Sequence, residues 1–265
     1  MNRLRNLWNY RELIVQFTIR DLMSRYKGSY LGVAWAIINP LVMLLVYSFI
    51  FVVIFQMRWG AELEQDKLLY TLMIFSGLVP FYIFSESVNR SITAVSSNPN
   101  YVKKVVIPLE ILPLSLVLSV VINNLFGLGL LILGKLIFLN TPDWSLIYVP
   151  LLLLPITILS LGLALMLSAL GVYLRDLAHS ISLVVNILFY MSPIFYSADI
   201  VPAPFDKIIT LNPLTGIIEQ WREVILLGNQ LVLRDYLWVV SFSVLIFFIG
   251  YSVFLKLRKG FADVV

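Results

Sequence analysis

The chain has 265 residues, of which 60% are hydrophobic and only 13% charged, with a formal net charge of +4. A soluble domain typically carries about 25% charged residues, so this composition excludes an ordinary soluble globule and indicates a polytopic membrane protein. Lys and Arg gather at the ends of apolar runs, which orients helices and argues against nucleic acid as a partner, and the lack of cysteine excludes disulfides, thiolate metal sites and Cys nucleophiles.

In chain order, residues 1–27 form the first predicted element. Leu4, Leu7, Trp8, Val15, Ile19, Leu22 and Tyr26 recur at helical steps with Arg, Asn, Glu, Gln and Asp between them. This pattern predicts an amphipathic helix lying in the membrane interface; the alternative is a basic anchor that only sets topology. Six apolar runs follow, at 30–55, 68–88, 107–138, 146–173, 181–196 and 236–255. Each reaches or approaches the roughly 20 residues a helix needs to cross the bilayer. Ala34-Trp35-Ala36 mimics a signal-cleavage site, but the run around it continues to Phe55, too long for a signal core. The expected fold is therefore an all-α integral membrane protein with six transmembrane helices and a single domain spanning residues 1–265.

Basic residues set the orientation. Arg3, Arg5, Arg11, Arg20, Arg25, Lys27, Arg90, Lys103, Lys104, Arg175, Lys256, Arg258 and Lys259 fall on one side, and Arg58, Lys67, Lys135, Lys207, Arg222 and Arg234 on the other, 13 against 6. The positive-inside rule places the first group, and both termini, in the cytoplasm.

Two connections on that side read as partner surfaces. In the segment 91–106, Ser96-Ser97-Asn98-Pro99-Asn100 breaks a helix, and Tyr101, Val102, Lys103, Lys104 and Val105 then present a short basic and apolar surface before Pro108. Tyr173-Leu174-Arg175-Asp176-Leu177 is a compact charged turn, for which a solvated connection is the default. On the opposite side, the 197–235 segment carries Pro202, Pro204 and Pro213. It also holds a helix-compatible stretch, Leu214 to Leu227, interrupted by Glu219, Arg222 and Glu223. That stretch is too short and too charged to span, so it reads either as re-entrant or interfacial helices on the external face or as a cap over helix ends.

No enzymatic site can be assembled. Gly129, Gly134 and Lys135 imitate a phosphate-binding loop, yet Leu136 stands where a hydroxyl would hold magnesium, inside a predicted transmembrane helix. His179, the sole histidine, lies near Arg175 and Asp176 without a nucleophile. Asn39, Asn123, Asn124 and Asn186 are expected to bond between helices. Glu86 and Glu110 sit near span ends, and no acid lies mid-membrane where an ion-coupled transporter would need one. No catalytic residue and no metal site is expected.

Several motifs together resemble a known family: RDLMSRYKGSYLGVAWAIINPL from Arg20, NPNYVKKVVIPLEILP from Asn98, YLRDL at Tyr173, MSPIFYS at Met191, LNPL at Leu211 and the terminal FADVV. They resemble the transmembrane permease of polysaccharide ABC exporters of the type 2 class, both the O-antigen (Wzm-type) and the teichoic-acid exporters, and the likeness covers essentially the whole chain. The resemblance implies a homodimer bound to two separate cytoplasmic ABC ATPase subunits, which bind ATP and magnesium while this chain binds no cofactor. It implies a polyprenyl-pyrophosphate-linked glycan as substrate, exported across the bacterial inner membrane. By the same likeness, Asn98, Pro99, Asn100, Tyr101, Val102, Lys103 and Lys104, with Arg175 and Asp176, form the ATPase-coupling interface. The first and fifth spans line the channel, and 197–235 is the external gate. Aromatic rings stack on the apolar faces of sugars without binding so tightly that a polymer stops. Trp35, Tyr47, Phe51, Phe55, Phe189, Tyr190, Phe195 and Tyr196 are the candidate channel rings, with lipid-facing positions as the competing reading. Two other functions stay open: export of small lipophilic compounds by the same class, and a membrane scaffold without transport.

Overall fold

The computed structural model describes residues 9–55, 67–103, 107–139, 143–174 and 176–264. These residues are overwhelmingly helical, with no strand among them. Helix α1 spans Arg11–Ser24. The apolar helix α2 runs over Gly32–Ile54, α3 over Lys67–Ser91, and the short α4 over Pro99–Lys103. Helix α5 covers Ile111–Phe138, α6 Trp144–Tyr173 and α7 Leu177–Met191. Then come α8 (Phe205–Leu211), α9 (Pro213–Trp221), α10 (Leu233–Leu257) and the terminal α11 (Phe261–Val264).

Among the described residues, five helices are long and apolar enough to cross a membrane, namely α2, α3, α5, α6 and the one beginning at Leu233. The run expected at 181–196 is instead α7, of 15 residues. At 1.5 Å per residue that is about 22 Å, short of a hydrocarbon core about 30 Å thick. The helix stops because Ser192, preceding Pro193, takes an extended conformation (φ −92°, ψ 143°). Phe195 and Tyr196, expected inside that span, therefore lie in the bend that follows it.

Helix α3 is the centre of the bundle. In its most apolar stretch 72% of residues are buried, against 6% in α2, which lies on the outside. Helices α5 and α6 flank α3, and α10 lies along α6. That last pair crosses without side chains between the backbones. A Cβ placed on Gly250 would stand 1.9 Å from the Gly162 carbonyl oxygen, and one on Gly162 would stand 2.6 Å from the Phe247 backbone. Small residues at such crossings replace the hydrophobic effect, which lipid does not supply between helices, with close van der Waals contact.

The segment after α7 is a built part of the core. Asn212 accepts a hydrogen bond from the Leu214 N–H at 3.0 Å, and Pro213 occupies the first turn, so LNPL encodes a capped helix start. Leu214, Ile217, Ile218 and Trp221, with Val224 and Ile225 in the wide turn Arg222–Leu226, are buried. Arg222 is buried with them. Its Nη2 donates to the Ile194 carbonyl at 2.8 Å and its Nε to the Met73 carbonyl at 3.2 Å, which compensates the cost of withdrawing a guanidinium from water. Gly77 makes room for it: a Cβ there would approach Arg222 Nη2 to 3.1 Å. The phosphate-loop imitation is helical, and the fully buried Lys135 pairs with Asp143 at 2.6 Å.

Candidate functional site

At one end of the bundle, α1, α4 and α11 converge. Helix α3 gives way to a turn in which the Asn98 amide donates to the Ala94 carbonyl at 2.9 Å, and Pro99 opens α4. On α4, Pro99, Asn100 and Lys103 are exposed. Tyr101 and Val102 pack inward on a buried cluster that includes Phe17, Val95, Leu112, Phe254 and Phe261. The Tyr101 ring meets Phe17 edge-on at 5.1 Å, and Arg20 Nη1 donates to its hydroxyl at 2.8 Å with the guanidinium 4.2 Å above the Phe17 ring. Lys104 and Arg175 lie outside the described residues, and Asp176 is exposed at the start of α7. The structure thus clasps α4 onto α1 through Tyr101.

Helix α1 is in turn tied to the spans by charge. Asp21 accepts from Arg90 Nη2 at 2.7 Å and from the Ser119 hydroxyl at 2.6 Å, while Glu86 accepts from Arg25 and, at 3.2 Å, from Arg90 Nη1. Arg25 Nη2 also reaches Ser119 Oγ at 3.2 Å. Two cations and two anions from α1, its C-terminal cap and α3 therefore alternate around Ser119 of α5. Just beyond, the Tyr26 hydroxyl donates to Asn123, which realises the expected interhelical role of that asparagine. Burial pushes the Tyr26 phenol above its ordinary pKa; Arg25 opposes this and Glu86 adds to it, so the group stays a donor. Among the described residues, Asn124 donates within its own helix, to the Val120 carbonyl.

The predicted apolar stripe of the first 27 residues divides. Val15 and Ile19 are exposed, Leu22 and Tyr26 half-buried, and Leu4, Leu7 and Trp8 fall outside the described residues. The face of α1 that meets the bundle carries Phe17, Thr18, Asp21 and the adjoining Arg25 instead.

The candidate channel rings gather where α2, α3 and α7 meet. Phe51 stacks on the buried Phe195 at 4.3 Å and 19°, Tyr47 lies 5.3 Å from Phe195, and Phe189 packs edge-on to Phe195 at 5.2 Å. Two rings at the margin are open: Phe55, 5.9 Å from Phe51, is 62% exposed, and Tyr190, 5.3 Å from Phe189, is 69% exposed. Tyr196 donates to the Tyr190 carbonyl at 3.2 Å. Trp35 stands at the start of α2 and donates to Ser29 Oγ at 2.9 Å. Phe81 of α3, 5.0 Å from Phe189, belongs to this cluster, and nothing in its apolar surroundings marks it in the sequence.

The sequence pattern of the ABC-2 type transporter membrane domain matches residues 12–226, which takes in α1, the clasped α4 and all of the ring cluster. The chain belongs to the ABC-2 type transporter family. This ABC-2 chain is similar to two O-antigen export system permease proteins RfbA of Klebsiella pneumoniae, 30% and 31% identical, each over 98% of this chain and 97% of the relative. RfbA of Myxococcus xanthus is 26% identical over 98% of both. The polysialic acid transport protein KpsM of Escherichia coli is 24% identical over 89% of this chain and 90% of its own. In the ABC-2 chain, the charge network of Asp21, Arg25, Glu86 and Arg90 escapes sequence reasoning because its members are 61 to 69 residues apart along the chain. The local signal is that Asp21 and Arg25, like Glu86 and Arg90, are spaced i,i+4.

Proposed function

We propose that this chain is the channel-forming permease of an ATP-driven exporter that moves lipid-linked polysaccharide out of the bacterial cytoplasm across the inner membrane. Two copies assemble with two ABC ATPase subunits, which bind ATP and magnesium. Both termini are cytoplasmic, with α7 and the bend at 192–196 together completing the sixth crossing, so α1 and α4 face the ATPase. Asn98–Lys104, with Arg175 and Asp176, form the coupling surface, and the re-entrant segment lies on the external side. Support comes from full-length similarity to permeases named for O-antigen and polysialic acid, and from the outward apolar faces of α2 and α7, which offer a surface to a second copy.

The observation that carries the reading is the continuous ring cluster of α2, α3 and α7 with Phe55 and Tyr190 open at its margin. A polymer passing such a margin is held by several weak stacking contacts, each worth about 0.5–1.5 kcal/mol. The double variant Phe55→Ala/Tyr190→Ala is expected to insert normally and to shorten and thin the surface glycan. Gel analysis of glycan length in cells with wild-type amounts of the variant makes the test. Wild-type amounts and lengths would assign these rings to lipid.

A further inference from the structure

The terminal motif FADVV has no part in the coupling surface proposed above. In the structure Phe261 is fully buried, with its ring 5.5 Å from Phe254 and 6.2 Å from Tyr173. The turn leading to it is pinned twice: Arg258 pairs with the buried Glu110 at 2.6 Å, and Tyr173 donates to the Leu257 carbonyl at 2.8 Å. Helix α11 packs directly on α4, and Tyr101 and Val102 rest on the buried cluster to which Phe261 belongs. A five-residue helix cannot hold its own position in water.

We infer that Phe261 is a positioning residue for coupling: inserted beneath α4, it sets the height and tilt at which Asn100 and Lys103 are presented to the ATPase. The inference rests on the proposed coupling role of α4. Phe261 acts through α4 alone, whereas the exposed Ala262, Asp263 and Val264 lie outside the coupling surface proposed above.

The test uses the whole transporter, co-purified with its ATPase and reconstituted in liposomes. Phe261→Ala is expected to raise the ATP hydrolysed per glycan exported by about fivefold, within the range of residues that modulate coupling without touching a ligand. Membrane amounts and the melting temperature of the embedded bundle should stay near wild type. Phe261→Leu, which keeps an apolar wedge, should recover most of the coupling, and Asp263→Asn should match wild type. An unchanged hydrolysis-to-export ratio in Phe261→Ala overturns the inference, as does a loss that tracks only reduced folding. Tyr101→Ala with Lys103→Glu separates the two claims. If that pair weakens ATPase capture while Phe261→Ala does nothing, the positioning role alone fails; if neither has an effect, the coupling surface fails with it.

Discussion

Gly250→Ala should prevent the folded chain from accumulating, and Gly162→Ala should do nearly the same. The added methyl on Gly250 would stand 1.9 Å from the Gly162 carbonyl oxygen, where backbone, not a flexible side chain, blocks it. Helices α6 and α10 would have to move apart where Gly250 meets Gly162. Overpacking a core typically costs about 1–3 kcal/mol and occasionally more, and a backbone-on-backbone clash belongs at or beyond the upper end. Gly129, with open space around its Cβ position, is the matched control on α5. Detergent-solubilised protein tagged for fluorescence, followed by size exclusion, distinguishes them: Gly129→Ala elutes as wild type, and Gly250→Ala aggregates or is degraded. A monodisperse Gly250→Ala protein of wild-type melting temperature would show that the crossing is looser than described.

Arg25→Leu is expected to have the next largest effect. It leaves Asp21 and Glu86 facing a single cation, Arg90, at the foot of the bundle. Removing one partner of a buried pair costs about 3–5 kcal/mol. The four side chains here retain 14–33% exposure, so water screens part of the loss. A cost of about 1–3 kcal/mol is the reasonable expectation. Because this network is the polar attachment of α1 to the spans, the variant should also loosen α1 and weaken export beyond its loss of stability. A thermal double-mutant cycle of Arg25→Leu and Glu86→Leu measures the pair directly. Strictly additive effects on melting would remove the network from any role in holding α1.

The apolar runs were legible because a membrane helix must satisfy its backbone within itself, so a long uncharged stretch admits few other structures. Five of the six runs became long helices close to their expected limits. The run at 181–196 failed at its end since hydropathy counts Phe195 and Tyr196 as membrane residues, whereas the Ser192-Pro193 peptide decides where the helix stops. The 197–235 segment stands apart from the long apolar runs by its prolines and length, and the structure folds it into the short helices α8 and α9. That Arg222 is its buried anchor was not legible, because a charge reads as exposed until Met73 and Ile194, far along the chain, supply carbonyls. Similarly, Tyr101 and Lys103 were singled out from local pattern, but the clasp of Tyr101 by Phe17 and Arg20 depends on how α1 folds back. The rings divide the same way: aromatic content was visible, and which rings stay open was set by tertiary packing.

The most direct measurement is the distribution of glycan between the two faces of the inner membrane in cells of the encoding bacterium with the gene deleted. If the chain is a polysaccharide export permease, lipid-linked glycan accumulates on the cytoplasmic face, surface glycan disappears, and supplying the chain together with its ATPase restores both. Surface glycan of unchanged amount and length in the deletion strain, with no lipid-linked glycan held inside, would contradict that function.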